Sequence, residues 1–198
     1  MTPRTATIVR ETKETNVNVK LDVDGTGRGE MQTGVGFFDH LLAQLSKHGM
    51  FDLDVRATGD LQVDAHHTVE DVAIALGRAF DQALGNREGI VRMAHAVVPL
   101  DEALAMVAVD ISGRGYALVK ADFAGPSIGD LPSSLIRHFF ESLAASAKMN
   151  LHVQVLSGVD DHHKAEAAFK SLARALDEAT KIDPRRLGQV PSTKGTIV

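Results

Sequence analysis

Two stretches of this chain can be laid over one another. When FFDHLLAQLSKHGMFDLDVRATGDLQVDAHHTVEDVAIALGRAF (37–80) is set against LIRHFFESLAASAKMNLHVQVLSGVDDHHKAEAAFKSLARAL (135–176), His40 falls on His138, and Leu53 and Val55 fall on Leu151 and Val153. After a two-residue gap, Val63, His66, His67 and Glu70 fall on Val159, His162, His163 and Glu166, and Leu76 meets Leu172. Such a repeat constrains the fold more than any local propensity, because both copies must build the same supersecondary unit and bury its apolar face. The chain reads as two tandem halves, 1–91 and 92–185, followed by a tail, 186–198.

Within each half the hydrophobic period changes in the same order. NVNVKLDVD, FDLDVRA and NLHVQVL alternate apolar and polar residues as half-buried strands do, whereas 37–48 and 134–148 carry helical spacing. After each His-His pair, Val69, Val72, Ala73, Leu76 and Phe80, or Ala165, Phe169, Leu172, Ala173 and Leu176, predict an amphipathic helix. ALAMVAVDISGRGYALVKADF predicts two further strands, read as a hairpin around SGRG. The pattern is α+β, two units of a few strands and two helices each.

Composition narrows the partners. With 44% apolar and 24% charged residues in 198, the chain is that of an ordinary globular protein. The charge balance, 21 − 26 = −5, offers no basic surface, so neither nucleic acid nor an anionic membrane is expected as a partner. There is no apolar leader at the start and no run of about 18 apolar residues, so a cytoplasmic location is expected. The absence of cysteine leaves nitrogen and oxygen donors for any metal. Nine histidines against one tyrosine and no tryptophan direct attention to those donors.

Each HHxxE opens an amphipathic helix, with Asp64 or Asp160 and Asp161 placed to cap it. Residues three and four apart share a helix face, so Glu70 can meet His66 or His67, and Glu166 can meet His162 or His163. Adjacent histidines point about 100° apart, so one pair serves two metals more naturally than one. A single HHxxE is a weak signal, and a lone helical histidine is usually a capped or solvated side chain. Two copies, each preceded by an aligned histidine, are a stronger one: His40, His66, His67, Glu70, His138, His162, His163 and Glu166 make eight candidate ligands. Nitrogen with carboxylate suits Mn, Fe, Co, Ni or Zn without choosing among them.

GFFDHLLAQLSKHG, DAHHTVEDVAIALG, LDEALAMVAVDISGRG, RHFFESLA, DDHHKAEAAFKSLARAL and the terminal PSTKG together resemble the imidazoleglycerol-phosphate dehydratase family over essentially the whole chain. The resemblance implies dehydration of imidazole glycerol phosphate to imidazole acetol phosphate in histidine biosynthesis, two Mn2+ per active site, and a shell of 24 subunits with active sites at subunit contacts. It implies a ribosomal protein S5 domain 2-like fold, each half a four-stranded sheet with two helices, the four helices packed between the sheets. All eight candidate ligands match the family's ligand positions.

The reaction removes a carbon-bound proton beside an imidazole ring and expels a hydroxyl from the next carbon. Negative charge develops in the ring, and a pair of Lewis-acidic metals at its two nitrogens would stabilise it. Glu14 matches the family's proton-transfer glutamate, and His66 and His163 are placed with it as candidate catalytic groups. The substrate's phosphate calls for cations and hydrogen-bond donors, for which Arg92, Arg114, Lys170, Ser192, Thr193 and Lys194 match the family's contacts, with Gln44 and His48 as further polar contacts. Asp101 matches a position without an assigned role, and His95 and His152 fall in strand patterns and read as structural. Taken singly, each Arg or Lys is a surface charge and Glu14 a solvated carboxylate. Against this reading stand a dinuclear hydrolase, disfavoured because six imidazoles outnumber two carboxylates, and a metal store, which would need no converging cations.

Overall fold

β1 (Thr5–Glu11) and β2 (Thr15–Asp22) pair antiparallel in the computed structural model, which describes residues 3–197. β4 (Asp52–Gly59) pairs antiparallel with β2, and the short β3 (Met31–Gln32) runs parallel to β4, giving the order β1-β2-β4-β3. In the second half, β5 (Met93–Leu100), β6 (Ala103–Asp110), β7 (Tyr116–Lys120) and β10 (Asn150–Ser157) form the order β5-β6-β10-β7, with β7 parallel to β10. Both four-stranded sheets thus share one topology, as the repeat demands. A ribbon of β8 (Ser127–Ile128) and β9 (Leu131–Pro132) is added in the second half.

One expectation fails here. β6 and β7 do not form a hairpin around SGRG; β10 lies between them, and the hairpin of this half is β5–β6, closed by Asp101 and Glu102. The alternation in the sequence defines strands but not their neighbours, and placing β10 centrally buries Leu151 and Val153 on the inner face.

The alternation becomes burial. Val17, Val19 and Leu21 of β2 face inward while Asn16, Asn18 and Lys20 face outward, and Ala103, Ala105, Val107 and Val109 of β6 do the same against Met106 and Asp110. α2 (His66–Leu84) lies on the first sheet and α4 (Asp161–Thr180) on the second, while α1 (Gly36–Gly49) packs on α4 and α3 (Ser133–Ala147) packs on α2. The four helices therefore form a layer between the sheets, and each half's first helix is held by the other half's second. One hydrophobic cluster runs through both halves, centred on rings such as Phe139 stacked on Phe169 at 5.0 Å and edge-on to Phe38 at 5.6 Å. Burying one such side chain contributes about 1.5–3 kcal/mol. Gly77 lets α2 and α3 approach, since a Cβ there would stand 2.7 Å from Ser146 Cβ and 2.8 Å from Ala147 N.

This swap of partners places the chemistry. α1 has no side-chain cap of its own; Asp130 of the second half accepts hydrogen bonds from Gly36 N at 2.6 Å and Phe37 N at 2.9 Å instead. Asp160 caps α4 by accepting from His162 N and His163 N, and Asp64 accepts from His66 N at 2.7 Å although Ala65 holds the cap position of α2. Asp161 does not cap; it accepts from Ala124 N and Gly125 N and pairs with Lys164, pinning the loop before β8.

Candidate metal centre

Two groups of three donors form, each spanning both halves. His40 from α1 meets His162 and Glu166 from α4, and His138 from α3 meets His66 and Glu70 from α2; within each group the ligand atoms lie within 4.8 Å of one another. His40 Nε2 and His162 Nε2 stand 2.8 Å and 3.1 Å from the same oxygen, Glu166 Oε2. In the other triad, His138 Nε2 is 3.3 Å from Glu70 Oε1 but lacks hydrogen-bond geometry, and it is buried without a hydrogen-bond partner among the described residues. The rings of His66 and His138 lie close and tilted by 36°, centroids 4.6 Å apart.

Burial works to raise the Glu166 carboxyl, but Lys170, whose Nζ is 2.6 Å from Oε1, together with His40 and His162, holds it down at about 2. On the facing helix Gln44 donates to the His40 carbonyl at 3.3 Å, and burial, joined by the charge of Lys170, lowers His48 below its ordinary range. Lys170, Gln44 and His48 therefore gather around the first triad.

His67 and His163 belong to neither triad. Each ring stands nearly perpendicular to its neighbour's, at 80° for His66–His67 and 82° for His162–His163, with centroids 6.1 Å apart in both. His67 Nδ1 lies 3.0 Å from Asp60 Oδ2 and 3.8 Å from Glu14 Oε2, so Glu14, exposed in the β1–β2 turn, is brought to His67 rather than to a triad. His163 Nδ1 lies 2.8 Å from Glu102 Oε2, and Asp101 Oδ2 is 3.7 Å from its Nε2. The hydrogen bond to Asp60 raises His67 and that to Glu102 raises His163, while backbone N–H groups of Asp160 and Val159, with His163 between them in weight, hold Glu102 at about 2. The sequence reading missed Asp60 and Glu102. Neither stands at helical spacing from its histidine, and only the strand ends bring them there.

Arg92, Arg114, Ser192, Thr193 and Lys194 line one cavity of about 660 Å³ between the start of β5, the SGRG turn and the tail. Arg92 pairs with Asp110 at 2.7 Å and donates to the Pro191 carbonyl at 2.7 Å, tying the tail to the sheet. Neither triad nor Lys170 is part of this lining, so within one chain the expected phosphate contacts fall into two places. His95 and His152 face outward from the second sheet, His152 with its ring 6.3 Å from that of Tyr116. Among the described residues no helix is long and apolar enough to cross a membrane.

The profile of the family described as imidazoleglycerol-phosphate dehydratase matches residues 33–176, which include both triads, His67 and His163. The chain belongs to the imidazoleglycerol-phosphate dehydratase family. The imidazoleglycerol-phosphate dehydratase of Chloroflexus aggregans is 60% identical over 98% of this chain and 95% of its own length, and that of Dehalococcoides mccartyi (strain CBDB1) is 57% identical over 100% and 99%. Among solved structures, the imidazoleglycerol-phosphate dehydratase of Pyrococcus furiosus, crystallised in complex with (S)-C348, superposes with a TM-score of 0.82 at 36% identity, covering 96% of this chain and 99% of that one. The Staphylococcus aureus imidazoleglycerol-phosphate dehydratase gives the same TM-score, 0.82, at 30% identity, over 90% and 99% of the two chains.

Proposed function

We propose that this chain is an imidazoleglycerol-phosphate dehydratase, a cytoplasmic hydro-lyase that dehydrates imidazole glycerol phosphate to imidazole acetol phosphate with two Mn2+ per active site. The observation that carries the metal reading is the pair of triads, each built from a helix of one half and a helix of the other. The donors fit a divalent metal: imidazole nitrogens with one carboxylate each, no sulfur, and in His138 Nε2 a buried nitrogen without a hydrogen-bond partner among the described residues.

His40, His162 and Glu166 hold one ion, and His66, Glu70 and His138 the other. His67 and His163, turned away from both triads, complete the sites of neighbouring copies in a 24-subunit homo-oligomer, so that the active site forms at subunit contacts. When bound, the metals supply Lewis acidity to the imidazole ring of the substrate as charge builds on it. Glu14 transfers the carbon-bound proton; it is exposed, on a turn, and adjacent to a histidine that would lie at the same contact. Arg92, Arg114 and Lys194, with the Ser192 and Thr193 hydroxyls, form the phosphate seat, which lies apart from the triads of its own chain as expected if it serves a neighbour's site. Lys170, Gln44 and His48 contribute from beside the first triad.

Assay of Mn2+-loaded protein with imidazole glycerol phosphate, then with a simple phosphate ester, tests this. Release of imidazole acetol phosphate without free phosphate is expected; ester hydrolysis without dehydration would make the protein a dinuclear hydrolase, and tight metal binding with no turnover would make it a metal store.

A further inference from the structure

The second histidine of each HHxxE is held by the same nitrogen, yet by carboxylates from different places. Asp60, just after β4, has both oxygens near His67 Nδ1, at 3.2 and 3.0 Å. Glu102, in the β5–β6 turn, has Oε2 2.8 Å from His163 Nδ1, while its Oε1 accepts from Val159 N at 3.1 Å and Asp160 N at 2.8 Å. The two carboxylates occupy non-equivalent positions in the repeat, so duplication alone does not account for the shared arrangement. A carboxylate only accepts hydrogen bonds, so each Nδ1 must carry the hydrogen and each neutral ring must leave its lone pair on Nε2. Asp101 Oδ2, at 3.7 Å from His163 Nε2, is beyond hydrogen-bond reach and leaves that lone pair unclaimed.

We propose that Asp60 and Glu102 are positioning residues that lock His67 and His163 as Nδ1–H tautomers with Nε2 aimed outward as a metal ligand toward another copy of the chain. This rests on His67 and His163 being ligands at subunit contacts. Partners of this kind fix ring orientation and sharpen a ligand's basicity, and losing one costs roughly 10- to 100-fold in metal affinity. The two sites differ in how they tolerate an amide. Among the described residues the Asp60 carboxylate has no other hydrogen-bond partner, so in Asp60→Asn the side chain can turn its oxygen to His67. In Glu102→Gln the oxygen is retained by Val159 N and Asp160 N, so the amide nitrogen faces His163 Nδ1 and forces the hydrogen onto Nε2.

The test uses full-length H67A, H163A, D60A, D60N and E102Q, stripped with chelator and titrated with Mn2+ against a competing chelator. Particle mass is followed by light scattering, and thermal unfolding of the stripped proteins serves as the control. Expected are a roughly 10- to 100-fold loss of Mn2+ affinity in D60A and E102Q, near-complete recovery in D60N, and unfolding temperatures unchanged before metal is added. Wild-type affinity in D60A and E102Q, with affinity lost in H67A and H163A, would overturn the positioning role alone. Wild-type affinity in H67A and H163A would overturn the ligand assignment and this inference with it.

Discussion

His40 Nε2 lies 2.8 Å from Glu166 Oε2 although the two residues are 126 positions apart, one on the first helix of one half and the other on the second helix of its partner half. The mirrored contact is His138 with Glu70 at 3.3 Å. Neither half can form a triad alone, because the helix carrying HHxxE always receives its third donor from the opposite half.

The triads share no residue, so they can be emptied one at a time. In His40→Ala the Mn2+ content measured after dialysis falls from two per chain toward one, and His138→Ala does the same through the other triad. Activity in each falls by more than the roughly 10- to 100-fold typical of losing an outer partner. A chain that still holds two ions after either substitution would contradict the assignment.

Acid should release the metals through the histidines rather than through Glu166. Glu166 stays ionised down to about pH 2 because Lys170, His40 and His162 outweigh its burial. On the proposed assignment of His67 and His163 as ligands, metal must displace protons from both, whose pKa values are raised above 6.5 by Asp60 and Glu102 respectively. Metal uptake and particle mass therefore rise together as pH climbs through and above 6.5. The stripped chain runs the other way: its charged His–carboxylate pairs are complete below 6.5, and their contribution is lost as pH rises through the raised values. Particle mass against pH with Mn2+ checks the first sign, and unfolding temperature of the stripped chain against pH checks the second.

Much of this arrangement was legible in the sequence because the repeat carried it. Aligning His40 with His138 and His66 with His162 identified every member of both triads, and the helical spacing of Glu70 and Glu166 put each carboxylate on the right face. Which histidine joined which half was not legible, since α1 packing on α4 and α3 on α2 is a tertiary choice that no local period encodes. The same limit explains the misread SGRG hairpin, where strand alternation was visible and strand order was not. Asp60 and Glu102 escaped because a carboxylate at a strand end carries no periodic signature relative to a helix it meets only in space.

Glu14 projects from a turn whose backbone is organised by the Thr12 hydroxyl, which accepts from Glu14 N at 3.1 Å and Thr15 N at 2.9 Å. Its carboxylate is therefore replaceable without disturbing the strand pair. Glu14→Gln should keep wild-type Mn2+ content and unfolding temperature while kcat drops by about 10²- to 10⁴-fold, the range for a lost general acid or base. Loss of metal in this variant would instead make Glu14 part of the ligand environment, beside His67.

Lys170 separates two roles by a single substitution. Its ammonium is 2.6 Å from Glu166 Oε1 and partly buried, so it neutralises the carboxylate proposed as a metal ligand as well as standing beside the region proposed for substrate. If phosphate binding dominates, Lys170→Ala raises KM with little change in kcat, because contacts remote from the reacting bonds act alike on ground and transition states. The loss of its charge also lets the Glu166 carboxyl rise from about 2, so acid begins to compete with metal at a higher pH than in the parent chain. Steady-state kinetics at neutral pH and titration of the Glu166 carboxyl in the metal-free chain read the two effects separately; an unchanged KM would confine Lys170 to its pair with Glu166.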